Sequence, residues 1–169
     1  PREQHRDAVT FDCWNTLLYE GEWEIAHGLR VDALARAALS ARLDEAAGDR
    51  SVVARAFDAA WERHMQLWET GVASGAREVA SWAFAELGAA PRGAAFETLV
   101  RDFEEASHSS QVRARDGAEG TLRALAERGV RMALICDTGL TPGRVVRQHL
   151  DRLGLLAPLG ATVFSDEWA

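Results

Sequence analysis

Asp12 closes the short apolar run Ala8-Val9-Thr10-Phe11, with an aromatic two residues on (Trp14), then an amide (Asn15) and a hydroxyl (Thr16). A run of that length and type fits a buried parallel strand. A side chain at its carboxyl end stands where open α/β sheets place their ligands. A carboxylate there can attack an electrophile or bind a cation. The competing reading is that Asp12 only caps the next helix. Two further polar groups follow apolar runs: Cys136-Asp137-Thr138-Gly139 after Val130 to Ile135, and Asp166-Glu167 after Ala161 to Phe164. Asp166-Glu167 reads either as a metal-binding acidic pair or as the chain leaving a strand.

These groups need elements to hold them in place. Residues 131–136 and 161–164 read as further buried strands. Residues 117–128 read as an amphipathic helix ending at Gly129, a C′ glycine, and a helix starts at Thr141-Pro142, with Pro in its first turn, and runs to about Leu153. Between Asp12 and this region the period is helical throughout. Helices are expected over about 22–43, from an N-cap at Ser51 to Gly71 or Gly75, over 76–87 and over 94–106. The second carries a stripe of Val53, Phe57, Trp61, His64, Met65, Trp68 and Val72, in which Trp61 and Trp68 share a face and read as core. Ser107 to Ser110 reads as a polar return linker. The expected architecture is α/β: a Rossmann-like parallel sheet core from residues 1–19 and 109–169, with an all-helical cap, residues 20–108, inserted after the first strand.

Hydrophobic residues make up 47% of the 169, which suits a packed protein rather than a disordered one. The net charge of −7 argues against nucleic-acid and anionic-membrane partners, which need a basic face. No apolar run approaches the roughly 20 residues of a membrane helix. Cys13 and Cys136 read as reduced thiols. A soluble cytoplasmic protein acting on a small molecule is expected. His27, His108 and His149 lack metal-ligand spacing.

Taken together, Phe11-Asp12-Cys13-Trp14-Asn15-Thr16-Leu17, Leu134-Ile135-Cys136-Asp137-Thr138-Gly139 and Val163-Phe164-Ser165-Asp166-Glu167 resemble the ordered motifs of the haloacid dehalogenase (HAD) superfamily, helical-cap subgroup. The resemblance implies a hydrolase acting on a small anionic substrate, of 2-haloacid or phosphate-ester type, with the cap setting specificity. It implies Asp12 as nucleophile and Thr16 as the residue orienting its loop. Trp14, Asn15, Cys136, Asp137 and Thr138 would meet the substrate. In metal-dependent members Mg2+ would bind the Asp12 carboxylate and the backbone carbonyl of Trp14; dehalogenase-type members would need no metal.

The departures from the pattern shape the reading. Trp14 stands where phosphatases carry the acid that protonates the leaving group, and tryptophan does no acid–base work. Cys136 is a weak donor where a hydroxyl is usual. Asp137 replaces the usual amide. The family's lysine has no counterpart, since all 19 basic residues are Arg, whose planar fork does not reproduce a compact ammonium. The chain stops just past the third strand, so the core is expected to be C-terminally incomplete. Such a chain alone is expected to be a weak or inactive catalyst, and either a fragment of a longer protein or paired with a second copy as a homodimer through its exposed sheet edge. The alternative function is a catalytically weak or inactive HAD-like scaffold that binds a partner.

Overall fold

The computed structural model describes residues 8–41, 49–90 and 92–167. In chain order the elements are β1 (Ala8–Phe11), β2 (Leu18–Glu20), α1 (Trp23–Ser40), α2 (Arg50–Glu69), α3 (Ala76–Glu86), α4 (Gly93–Glu105), a 3-10 turn (Ala106–Ser109), β3 (Val112–Ala114), α5 (Ala118–Glu127), β4 (Arg131–Cys136), α6 (Gly143–Arg152) and β5 (Ala161–Phe164), then a second 3-10 turn (Ser165–Glu167). Among the described residues, 8–21, 111–138 and 143–167 form one compact unit, and 22–110 with 139–142 form another. The chain start before Ala8, the Gly48 end of the first interhelix break, Pro91 and the final Trp168-Ala169 lie outside the described residues.

The first unit is built on a parallel sheet in the order β1-β4-β5. Phe11 is in register with Leu134, and Cys136 with Phe164. The expected parallel sheet is therefore present, but its strands are not buried on both sides. Met132, Leu134 and Cys136 are buried, whereas Ile135 is 54% exposed; in β1, Ala8 and Thr10 are exposed. The reason is the direction of winding. The chain steps from β1 to β4 to β5 in one sense, and right-handed crossovers taken in one sense put both connecting helices on the same face. Leu122 of α5 and Val146 and Leu150 of α6 pack there with Met132, Leu134 and Phe164.

Two short strands lack any periodic signal and were not expected. β2 pairs antiparallel with β3, Leu18 opposite Ala114, and Leu18 and Val112 are buried in the same core.

The helical unit has its own core. The predicted stripe of α4 is fully inward: Phe96, Leu99, Val100 and Phe103 are all buried. Phe57 of α2 meets Phe103 edge to face at 5.4 Å, a favourable arrangement for aromatic rings. The stripe on α2 stops short of its expected length. Val53, Phe57 and His64 are buried, but Trp68 is 52% exposed and Val72 49%. Seven-residue spacing puts Trp61 and Trp68 on one face without ensuring that anything covers the far end. The same holds for Trp23 and Leu39 at the ends of α1, both exposed. The cap of α2 is Asp49 rather than Ser51: its carboxylate accepts the Ser51 N–H at 2.8 Å, which holds its pKa below the ordinary value. The expected polar linker at 107–110 is largely a 3-10 turn that buries Ser107 and Ser110 and leaves His108 and Ser109 exposed. Ser107 and Ser110 are both inaccessible, and the Ser110 hydroxyl donates to the Ser107 carbonyl.

Candidate active site

Asp12 leaves the end of β1 exposed, as a ligand-facing carboxylate must be. The loop after it is held almost entirely by its own backbone. The carbonyl of Cys13 accepts the N–H groups of Thr16, Leu17 and Leu18, and the Asn15 N–H reaches the Leu18 carbonyl at 2.6 Å. This tight winding requires φ of +62° at Asn15, a left-handed conformation that asparagine tolerates better than most residues. The turn brings Thr16 back under Asp12, and its hydroxyl donates to Asp12 Oδ2 at 2.9 Å. Asp12 and Thr16 therefore meet, with Oδ1 accepting no hydrogen bond among the described residues. The competing helix-cap reading fails, since the next element is β2 and the carboxylate takes a hydroxyl instead of helix amides.

Trp14 is half-buried. It forms an isolated bridge with Leu18 and packs against the core of the sheet unit. Asn15 gains a partner that the sequence offered no means of finding. Arg115, one hundred residues on, donates through Nε to the Asn15 carbonyl at 3.2 Å, and its own N–H donates to the Leu17 carbonyl at 2.9 Å. Its guanidinium also lies over the Tyr19 ring at 5.2 Å. A cation is thereby fixed on the loop that bears Asp12.

The groups on β4 are arranged differently from the expectation. Cys136 is buried, and its thiol donates to the Asp137 carbonyl. Cys13 lies in the same core beside it. Its interaction with Cys136, then burial, then the nearby Asp12 carboxylate push the Cys13 thiol far above its ordinary pKa. Both cysteines are free thiols buried in the core of this unit. Asp137 is exposed directly after it.

Thr138 is buried and committed to the segment after β5. Its N–H donates to Ser165 Oγ at 2.8 Å, and its hydroxyl donates to Asp166 Oδ1 at 2.8 Å. The same carboxylate accepts the Gly143 N–H at the start of α6, at 3.1 and 3.2 Å. Glu167 pairs with both terminal nitrogens of Arg147, which holds its carboxyl below the ordinary range. In this structure Asp166 ties Thr138 to the start of α6 and Glu167 pairs with Arg147. Among the described residues no group of three or more His, Cys, Asp or Glu side chains is placed to hold a metal ion.

An open cavity of about 430 Å³ in this unit is lined by Ala8, Thr10, Arg131, Met132, Gly160 and Ala161, among others. It lies at the amino ends of the strands, the opposite end from Asp12.

No family model matches the chain, and no curated protein matches it in sequence. Solved structures do match in fold. A protein from Haemophilus somnus predicted to be a phosphoglycolate phosphatase superposes with a TM-score of 0.52 at 16% identity, over 94% of this chain and 62% of its own. YfnB from Bacillus subtilis, assigned as a HAD-hydrolase and solved with magnesium, superposes with a TM-score of 0.52 at 15% identity, over 95% of this chain and 64% of its own. The chain therefore has a HAD-like fold and spans less than two thirds of either protein. No helix among the described residues is long and apolar enough to cross a membrane.

Proposed function

We propose that this chain carries the nucleophile of a HAD-like hydrolase. Asp12 attacks a small anionic substrate and forms an ester, which water then cleaves. The observation that carries the reading is Asp12 itself, an exposed carboxylate at the carboxyl end of a parallel strand, oriented through Oδ2 by the Thr16 hydroxyl at 2.9 Å. In the first step a carboxylate oxygen bonds to the electrophilic carbon or phosphorus and the leaving group departs with its electron pair. In the second, water adds to the ester and returns the carboxylate. Arg115, fixed on the Asn15 carbonyl, keeps the loop in shape through both steps. The helical unit selects the substrate, as the family resemblance implies.

The free Oδ1 of Asp12 and the main-chain carbonyl of Trp14 are hard oxygen donors of the kind magnesium takes, with water filling its other positions. Such an ion would neutralise the charge of a phosphate ester. The attack itself is assigned to Asp12.

Single-turnover hydrolysis in oxygen-18 water tests the covalent route. With enzyme in excess of substrate, the proposal expects label in the Asp12 carboxylate when the substrate is a 2-haloacid, read as a 2 Da gain on its peptide. Label confined to the product would show direct attack by water and end the proposal for that substrate.

Trp14 sets a further expectation. With no acid at that position, the leaving group must depart without a proton. General-acid assistance is worth about 10²–10⁴-fold, so aryl phosphates and 2-haloacids should outrun alkyl phosphates by at least about 10²-fold in kcat/KM. Comparable turnover of an alkyl and a nitrophenyl phosphate would show that another group supplies the proton.

A further inference from the structure

The start of α6 is capped from a distance. Pro142, just before the helix, has no side-chain acceptor to offer the first amides. The acceptor comes instead from Asp166, twenty-three residues on, whose Oδ1 takes both the Gly143 N–H at 3.1 Å and the Thr138 hydroxyl at 2.8 Å. The tie is reciprocal, because the Asp166 N–H returns to Thr138 Oγ1 at 3.3 Å. Ser165 adds to it: its Oγ accepts the Thr138 N–H at 2.8 Å and lies 3.0 Å from the Thr138 hydroxyl. A serine, threonine or aspartate at position 142 would cap α6 as well on its own. A side-chain oxygen placed where that of Asp166 stands also ties down the far end of the loop, at Thr138, beside the contacts from Ser165 and the Asp166 N–H.

We propose that Asp166 is a positioning residue for the Asp12 reaction. One carboxylate holds both ends of the 138–143 loop against the end of β5. It thereby fixes Asp137 and the first amides of α6 at the carboxyl edge of β4, the strand that runs beside β1 and Asp12. The proposal rests on the hydrolase reading above. Its physical basis is that reacting groups need fixed placement, and that a shift of about 1 Å produced away from the chemistry can lower a rate by about 10²-fold.

The test uses the natural full-length protein with p-nitrophenyl phosphate and 2-chloropropionate as probes. Three variants are compared: Asp166→Ala, Asp166→Asn, and Asp166→Ala combined with Pro142→Asp. Alanine removes both carboxylate ties and leaves Thr138 only the Ser165 hydroxyl and the main-chain N–H of residue 166, and kcat should fall about 10- to 100-fold with KM little changed. Asparagine keeps an oxygen that accepts from Thr138 and Gly143, and should hold kcat within about threefold. The double variant restores a local helix cap but not the tie to Thr138. It should recover the melting temperature and leave kcat low, and it is the arm to read if Asp166→Ala alone does not fold. Recovery of kcat along with melting temperature in the double variant would reduce Asp166 to a helix cap and overturn the proposal. So would unchanged kcat in Asp166→Ala. A wild-type protein whose turnover survives Asp12→Asn would overturn the hydrolase reading and this proposal with it, whereas turnover lost in Asp12→Asn but kept in the Asp166 variants would overturn this proposal alone.

Discussion

Gly143→Ala should lower the melting temperature by roughly 6–12 °C. The glycine is required for space rather than for backbone freedom, because its φ is not among the positive ones. A Cβ built on it would stand 2.6 Å from Phe164 Cγ and 2.7 Å from its Cβ. The ring has nowhere to go. Phe164 is fully buried, its strand is in register with Cys136, and the Arg147 guanidinium lies over its face at 4.5 Å. Overpacking a filled core costs about 1–3 kcal/mol. Relief by withdrawal of α6 would pull the Gly143 N–H off Asp166 and lose a charge-assisted hydrogen bond, worth about 1.5–3 kcal/mol. A total near 3 kcal/mol converts to the stated shift at about 2–4 °C per kcal/mol for a chain of this size. Melting followed by circular dichroism checks it, and a change under 2 °C would mean that Phe164 has room to move. Gly143→Val should do more damage, and substitution at Gly120, where a Cβ meets nothing within 4 Å, should do little.

The contrast between those two glycines shows what a sequence can and cannot carry. Strands 131–136 and 161–164 were legible because apolar runs bounded by turn residues have few other uses. The α4 stripe was legible because Phe96, Leu99, Val100 and Phe103 repeat at the helical period and all find partners. β2 and β3 were not, since three residues are too few to show a period. The half-exposure of β4 was not legible either. An apolar run states a tendency to be covered, but whether both faces are covered depends on the sense in which the chain winds. Within the candidate site, Asp12 and Thr16 were legible because four residues of tight turn brought them together. Arg115 and the tie from Asp166 to Thr138 were not, because each joins segments far apart in sequence with no local pattern to announce them. Cys136 stands at the expected strand end with its thiol buried: alternation along β4 turns it inward beside Cys13, and the following residue, Asp137, outward.

Asp12→Asn should abolish turnover while leaving the fold intact, and the two halves of that expectation come from the same geometry. Asp12 is exposed, and the hydrogen bond it makes in this structure is the one it accepts from Thr16. An asparagine oxygen can accept the same bond, so the loop wound on the Cys13 carbonyl should persist and the melting temperature should stay within about 2 °C, as is usual for exposed substitutions. The amide, however, is a far poorer nucleophile than the carboxylate, and removing a nucleophile lowers kcat by about 10³-fold or more. Thr16→Val makes the informative comparison. It deletes the orienting hydroxyl but keeps the nucleophile, and one hydrogen bond of about 0.5–1.5 kcal/mol predicts a loss of only about 3- to 10-fold. If the carboxylate instead acted only through a bound cation, Asp12→Asn activity should recover as magnesium is raised, because a weakened ligand set is refilled by mass action. Full-length protein is assayed with 2-chloropropionate and p-nitrophenyl phosphate across a magnesium series, with intact mass excluding deamidation of the introduced asparagine through its 1 Da gain. More than a tenth of wild-type turnover in the deamidation-free variant would remove Asp12 from the nucleophile role.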